Sequence, residues 1–124
     1  MSRITIPILL LLFTVLLLHC SKDRYTPLPA DLTGCRDTFF TFESDVLPIM
    51  NVNCNFEECH GSHGMGSYNF TDYDVVANRV RAGTIEYRLR LPESDPQHMP
   101  EHMRLSHCDF NTIIAWIRQG YPEK

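Results

Sequence analysis

The chain has 124 residues, with 15 acidic against 11 basic side chains and a net charge of −4 when the histidines are neutral. A nucleic-acid partner is disfavoured, because a phosphate backbone is held by a basic surface. The length leaves room for one domain with a limited core of its own.

At the amino terminus Arg3 precedes an apolar run, Ile6 to Leu18, interrupted by Pro7 and Thr14. A positive start before a short apolar stretch reads as a secretory signal over 1–19. It falls short of the roughly 20 apolar residues that a spanning helix needs. Leu17-Leu18-His19-Cys20 resembles a bacterial lipobox. That resemblance implies that Cys20 becomes the first mature residue and carries lipid, although His19 stands where a small residue is usual. The alternative is an ordinary signal peptide cleaved nearby. Residues 20–34, with Pro27 and Pro29, read as a tether. Ser21-Lys22-Asp23 is similar to the surface-export signals of Bacteroidetes lipoproteins. The expected location is therefore exported and lipid-anchored, at the outer membrane, facing periplasm or cell surface. Loss of Arg3 with the signal makes the mature chain more acidic.

The remainder, 35–124, reads as one all-α domain. Ser44 is placed to cap a helix from Asp45 to Asn53, with Asp45 at its positive end and Pro48 near its first turn. Gly61 to Asn69 reads as a glycine-rich loop. Thr71-x-x-Asp74 then resembles a capping box, with Tyr73, Val76 and Val80 on one face and Gly83 as the stop. Ile85 to Leu91 alternates apolar and charged residues in the manner of a strand. With no sheet for it to join, a short helix is the better expectation. Pro92, Pro96 and Pro100 enforce an extended loop. Ser106-x-x-Asp109 and Gly120 bracket a last helix, where Phe110, Ile113, Ile114 and Ile117 share a face and Trp116 adds bulk beside it.

Chemistry concentrates in Cys54 to His60, CNFEECH. Cys-x-x-Cys-His is the usual attachment signal for c-type haem, and this is a Cys-x4-Cys-His form. Two thiols form thioethers with the two vinyl groups of haem, and the adjacent imidazole reaches the iron. Two extra residues can be looped out without moving the thiols out of reach. The reading also accounts for all five cysteines. Cys20 takes lipid, Cys54 and Cys59 take haem, and Cys35 with Cys108 remain to pair in an oxidising compartment. That bridge closes a long loop and is worth roughly 4 kcal/mol in the chain-entropy model. Otherwise Cys35, Cys54, Cys59 and Cys108 pair among themselves in one of about three connectivities. A bound haem would add a large apolar body to the core.

His60 is the expected proximal ligand. For the second axial position His98-Met99-Pro100-Glu101-His102-Met103 offers several donors. Met99 is the choice, because Pro100 biases it toward extended backbone and a thioether suits ferrous iron. His98, His102, Met103 or an open position are the alternatives. His63 is expected to be solvent-exposed, and His107 has no assigned role.

These residues resemble the small class I cytochrome c domains of bacterial lipoproteins, particularly those of Bacteroidetes and Planctomycetes. The matching stretches are FESDVLPIM from Phe42, CNFEECHG from Cys54, Met99-Pro100, and LSHCDFNTIIAWIRQG from Leu105. The resemblance implies a fold in which the first and last helices cross beside one covalently attached haem. Cys54, Cys59, His60 and Met99 would bind it, with His60 and Met99 on the iron. It also implies an electron carrier serving redox protein partners, with no small-molecule substrate. Many such proteins place a proline soon after the haem motif, whose carbonyl orients the proximal histidine. None lies between Gly61 and Arg90, so that acceptor is unidentified in the sequence. No set of nucleophile, base and oxyanion donors argues for group transfer or hydrolysis. Two rival readings are a disulfide-stapled or zinc-binding surface lipoprotein, with zinc on Cys54, Cys59, His60 and His63, and a haem sensor or enzyme with an open iron site.

Overall fold

The structure, a computed structural model, describes residues 30–36, 39–61, 66, 68–101 and 103–124. The leader, Cys20 and most of the tether lie outside these residues. Among them a π-helical turn, Phe42–Val46, runs directly into α1 (Leu47–Asn53). Then come α2 (Tyr73–Arg81), α3 (Thr84–Arg90) and α4 (His107–Arg118), with no strand among the described residues. The all-α expectation holds at that level. No helix of the described residues is long and apolar enough to cross a membrane.

The first helical segment starts earlier than the Asp45 expected from sequence, and its cap is Thr41 rather than Ser44. Thr41 is extended (φ −121, ψ 161), and its hydroxyl accepts from the Ser44 amide at 3.3 Å. In return the Asp45 carboxylate accepts from the Thr41 amide at 2.8 Å. This is a reciprocal cap stretched by one residue to suit the wider π turn. The wide turn lies just upstream of Pro48, which has no amide hydrogen to give the carbonyl of Ser44. The Phe42 and Glu43 amides donate to the carbonyls of Pro122 (2.9 Å) and Glu123 (3.1 Å) in the C-terminal tail. Helix-start donors that an α-helix leaves unpaired are thereby satisfied from the far end of the chain.

The second cap also shifts by one residue. Asp72, not Thr71, accepts from the amides of Asp74 (2.9 Å) and Val75 (3.4 Å). Thr71 instead binds the Asn69 side chain through its amide and hydroxyl. Gly83 at φ +73 ends α2 and opens α3, where only glycine is unstrained. The alternating stretch is helical, as expected. Ser106 caps α4 by accepting from the Asp109 amide at 3.1 Å.

The core joins the first segment, α2, α3 and α4 through Phe40, Phe42, Val46, Met50, Val76, Ile85, Ile113 and Trp116. Trp116 is wholly enclosed, whereas Phe110 and Ile117 on the expected apolar face are only half-buried. The inner face of α4 is therefore centred nearer Trp116 than the aliphatic stripe suggests. The indole nitrogen donates to the Pro122 carbonyl at 2.9 Å, the same oxygen that accepts from Phe42. Tyr73 adds a hydroxyl bond to the Tyr121 carbonyl, and Gln119 accepts from the Phe40 amide.

The Cys35–Cys108 disulfide is formed, with the two Cα atoms 5.5 Å apart and a sequence separation of 73. It fastens the segment before the first helix to the first turn of α4. Close by, the Asp31 amide donates to the buried Asn111 side chain at 2.8 Å. At the other end of α4, Arg118 donates to Glu86 at 2.5 and 3.0 Å, tying it to α3.

Candidate functional site

Cys54 is delivered by the end of α1. The carbonyl of Met50, a residue buried in the core, accepts from the amides of both Cys54 (2.8 Å) and Asn55 (2.9 Å). The chain then closes a tight loop. The Phe56 carbonyl accepts from Cys59 (2.9 Å) and Gly61 (3.0 Å), while the His60 amide returns to the Cys54 carbonyl at 3.1 Å. Phe56, Glu57 and Glu58 bulge into solvent. The longer spacer is thus absorbed as an outward loop, and His60 stands beside Cys54. Gly61 is needed there, since a Cβ would lie 2.9 Å from the Phe56 carbonyl oxygen.

Neither Cys54 nor Cys59 is in a disulfide, in contrast to Cys35 and Cys108. Cys59 is exposed and Cys54 half-buried. Burial, reinforced by the neighbouring Cys59 sulfur, pushes the Cys54 thiol up to about 12. Cys54 is consequently a neutral thiol at physiological pH.

The His60 ring is held on three sides. Its Nδ1 lies 3.0 Å from the Tyr68 carbonyl oxygen. A carbonyl can only accept, so Nδ1 carries the hydrogen, and in the neutral ring Nε2 presents a lone pair. Phe70 stacks on the imidazole with centroids 4.1 Å apart and planes 11° apart. Gly66 donates its amide to the Cys59 carbonyl at 2.8 Å. A Cβ on Gly66 would come within 2.7 Å of Nδ1, so no larger residue fits against this edge of the ring. Arg79 of α2 lies over the Tyr68 ring at 4.2 Å and joins this loop to the helix behind it. The acceptor that the sequence did not reveal is therefore the backbone of Tyr68. No side-chain pattern marks it, because any residue could supply that carbonyl.

Met99 is half-buried, its amide donates to the Arg88 carbonyl at 3.3 Å, and its peptide bond to Pro100 is cis. With Leu89, Leu91, Leu105 and Phe110 it lines an open cavity of about 410 Å³. Cys54, Cys59 and His60 do not line that cavity. Cys54, Cys59 and His60 share one short loop closed by backbone hydrogen bonds, and Met99 lines a cavity of which none of the three is part. Of the other donors in that stretch, His98 is buried with Nδ1 2.8 Å from the Leu91 carbonyl and Nε2 3.3 Å from that of Met103. Both of its nitrogens face backbone oxygens, which leaves neither aimed at a metal. Met103 is exposed. His107 is exposed, with Nε2 3.9 Å from the Asp31 carboxylate. His63 and His102 lie outside the described residues, so the zinc set that includes His63 is only partly in view. Among the described residues no group of three or more His, Cys, Asp or Glu side chains converges to hold a metal ion.

The loop carries two cysteines outside any disulfide and an imidazole with Nδ1 committed to the Tyr68 carbonyl. Comparison with protein-family models, with curated proteins and with solved structures gives no match.

Proposed function

We propose that the chain is a lipid-anchored, single-haem c-type cytochrome that carries electrons between redox proteins and does not transform a small-molecule substrate. The observation that carries this reading is His60. Its Nδ1 is bonded to the Tyr68 carbonyl, which leaves Nε2 as the ring's donor atom, on the same short loop as two cysteines outside any disulfide. A ligating histidine needs just such a partner on its other nitrogen. Cys54 and Cys59 would hold haem c through thioethers and His60 would bind its iron, with Met99 proposed as a second ligand even though it lines a cavity that the other three do not. Bound there, the iron would supply one-electron chemistry, accepting an electron from a reduced protein partner and passing it to an oxidised one. Lipid on Cys20 would keep the domain at the bacterial outer membrane.

Co-expression with a haem-attachment system tests the reading. The expected product is red, keeps its haem through denaturation, and contains one iron per chain. A colourless chain, or one that binds zinc in place of iron, would remove the proposal. Replacing Met99 by Ala is expected to abolish the thioether signature in the spectrum of the loaded protein. An unchanged spectrum would show that another group, or none, occupies the distal position.

A further inference from the structure

We propose that Phe70 is a positioning residue for His60, locking the imidazole in the single orientation in which Nδ1 meets the Tyr68 carbonyl and Nε2 points away. A histidine tied by one hydrogen bond can still swing about the bond axis. The parallel Phe70 ring, 4.1 Å from centroid to centroid, blocks that swing on one face. The close approach of Gly66 blocks it at the Nδ1 edge.

Phe70 is itself well anchored. Its side chain packs against the hydrophobic core, and its amide donates to the His60 carbonyl at 3.2 Å. On its C-terminal side, Asp72 caps α2 two positions later. The ring thus transmits the rigidity of the core to a half-buried imidazole at the domain surface. The contact stands on its own geometry, while its consequence for iron rests on the proposed reading of His60. A hydrogen bond from Nδ1 to a carbonyl makes Nε2 a stronger electron donor. A stronger donor stabilises ferric over ferrous iron and lowers the reduction potential. Without the stack the bond is made only part of the time, and the potential rises.

The test uses the full chain with ¹⁵N-labelled histidine, compared as wild type, Phe70→Leu and Phe70→Tyr. In haem-free protein, wild type and Phe70→Tyr are expected to show His60 as one tautomer, protonated at Nδ1. Phe70→Leu is expected to show exchange between tautomers. In haem-loaded protein, Phe70→Leu is expected to raise the potential and broaden the low-spin resonance signals, and Phe70→Tyr to restore both. Phe70→Met, which fills the space without a planar face, takes the place of the leucine variant if that variant fails to fold. An unaltered tautomer in the leucine or methionine variant overturns the proposal. If no variant takes up haem, the electron-carrier reading fails, and the tautomer result still decides the role of Phe70.

Discussion

The closest packing in the described site is at Gly66. A methyl group there would fall 2.5 Å from the Cys59 carbonyl oxygen and 2.7 Å from His60 Nδ1. The Cys59 oxygen belongs to backbone already bonded to the Gly66 amide, so it has little freedom to move. Gly66→Ala is therefore expected to displace the imidazole from the Tyr68 carbonyl and to destabilise the domain by about 1–3 kcal/mol, the usual cost of overpacking. Denaturant titration reads the loss, and histidine NMR reads the displaced ring. In the sequence Gly66 is one glycine of a loop containing several, and nothing there distinguishes a turn glycine from one that touches a histidine. His60 stood out in the sequence because it follows Cys59 in a Cys-x4-Cys-His pattern. Its supporting contacts did not, because they depend on how Gly66, Tyr68 and Phe70 fold back over it.

Helix boundaries show a similar division. Gly83 was expected to end α2, and Ser106 was expected to open α4; each does so with the anticipated geometry. At the other two starts a neighbour wins. Thr41 caps in place of Ser44 because Asp45 can reach back to its amide, and Asp72 caps in place of Thr71 because Asn69 has engaged the threonine. Local signals fix that a helix begins, but several adjacent polar residues compete for the capping position. Between elements, Glu86 of α3 meets Arg118 of α4 and Arg90 of its own helix. Burial raises the pKa of this carboxyl, but hydrogen bonds and charge from Arg118 and Arg90 outweigh that effect and leave it below the ordinary value. A folded-state value below the unfolded one means stability that is present above the unfolded pKa and lost as pH falls through the folded value. Glu86→Gln should cost roughly 1 kcal/mol at neutral pH, after allowance for solvent screening of a partly exposed cluster. In urea titrations from neutral to acid pH, its difference from wild type should shrink as the solution becomes acidic. A difference that stays constant would show that the carboxylate charge is not what matters.

Across the whole molecule, two long-range devices close the fold: the disulfide and the C-terminal tail. The 73-position separation of Cys35 and Cys108 makes the bridge an effective restraint on the unfolded chain. Changing both cysteines to Ser should lower stability by up to about 4 kcal/mol, read from the denaturant midpoint under oxidising conditions. Addition of a reductant should then change the stability of wild type and leave the double variant unaffected. The pairing was expected once Cys54 and Cys59 were set aside as a proposed attachment pair and Cys20 as a proposed lipid site. The tail was not: the Pro122 carbonyl receives both Trp116 and Phe42, a convergence of backbone and indole that no periodicity encodes. Trp116 accordingly lies at the centre of the core, while the sequence placed it only at the margin of an aliphatic stripe.

The bridge also sets where a pull on the leading end would be felt. Tension arriving along 20–34 reaches Cys35 before any helix and is diverted across the sulfur–sulfur link into the last helix. The stretch from Phe39 to His60 lies between the two bridged cysteines in sequence. A domain moored to a moving surface could be tugged about while its thiols and imidazole keep their mutual spacing, and severing the link would put the mooring load straight onto the segment that ends in Cys54.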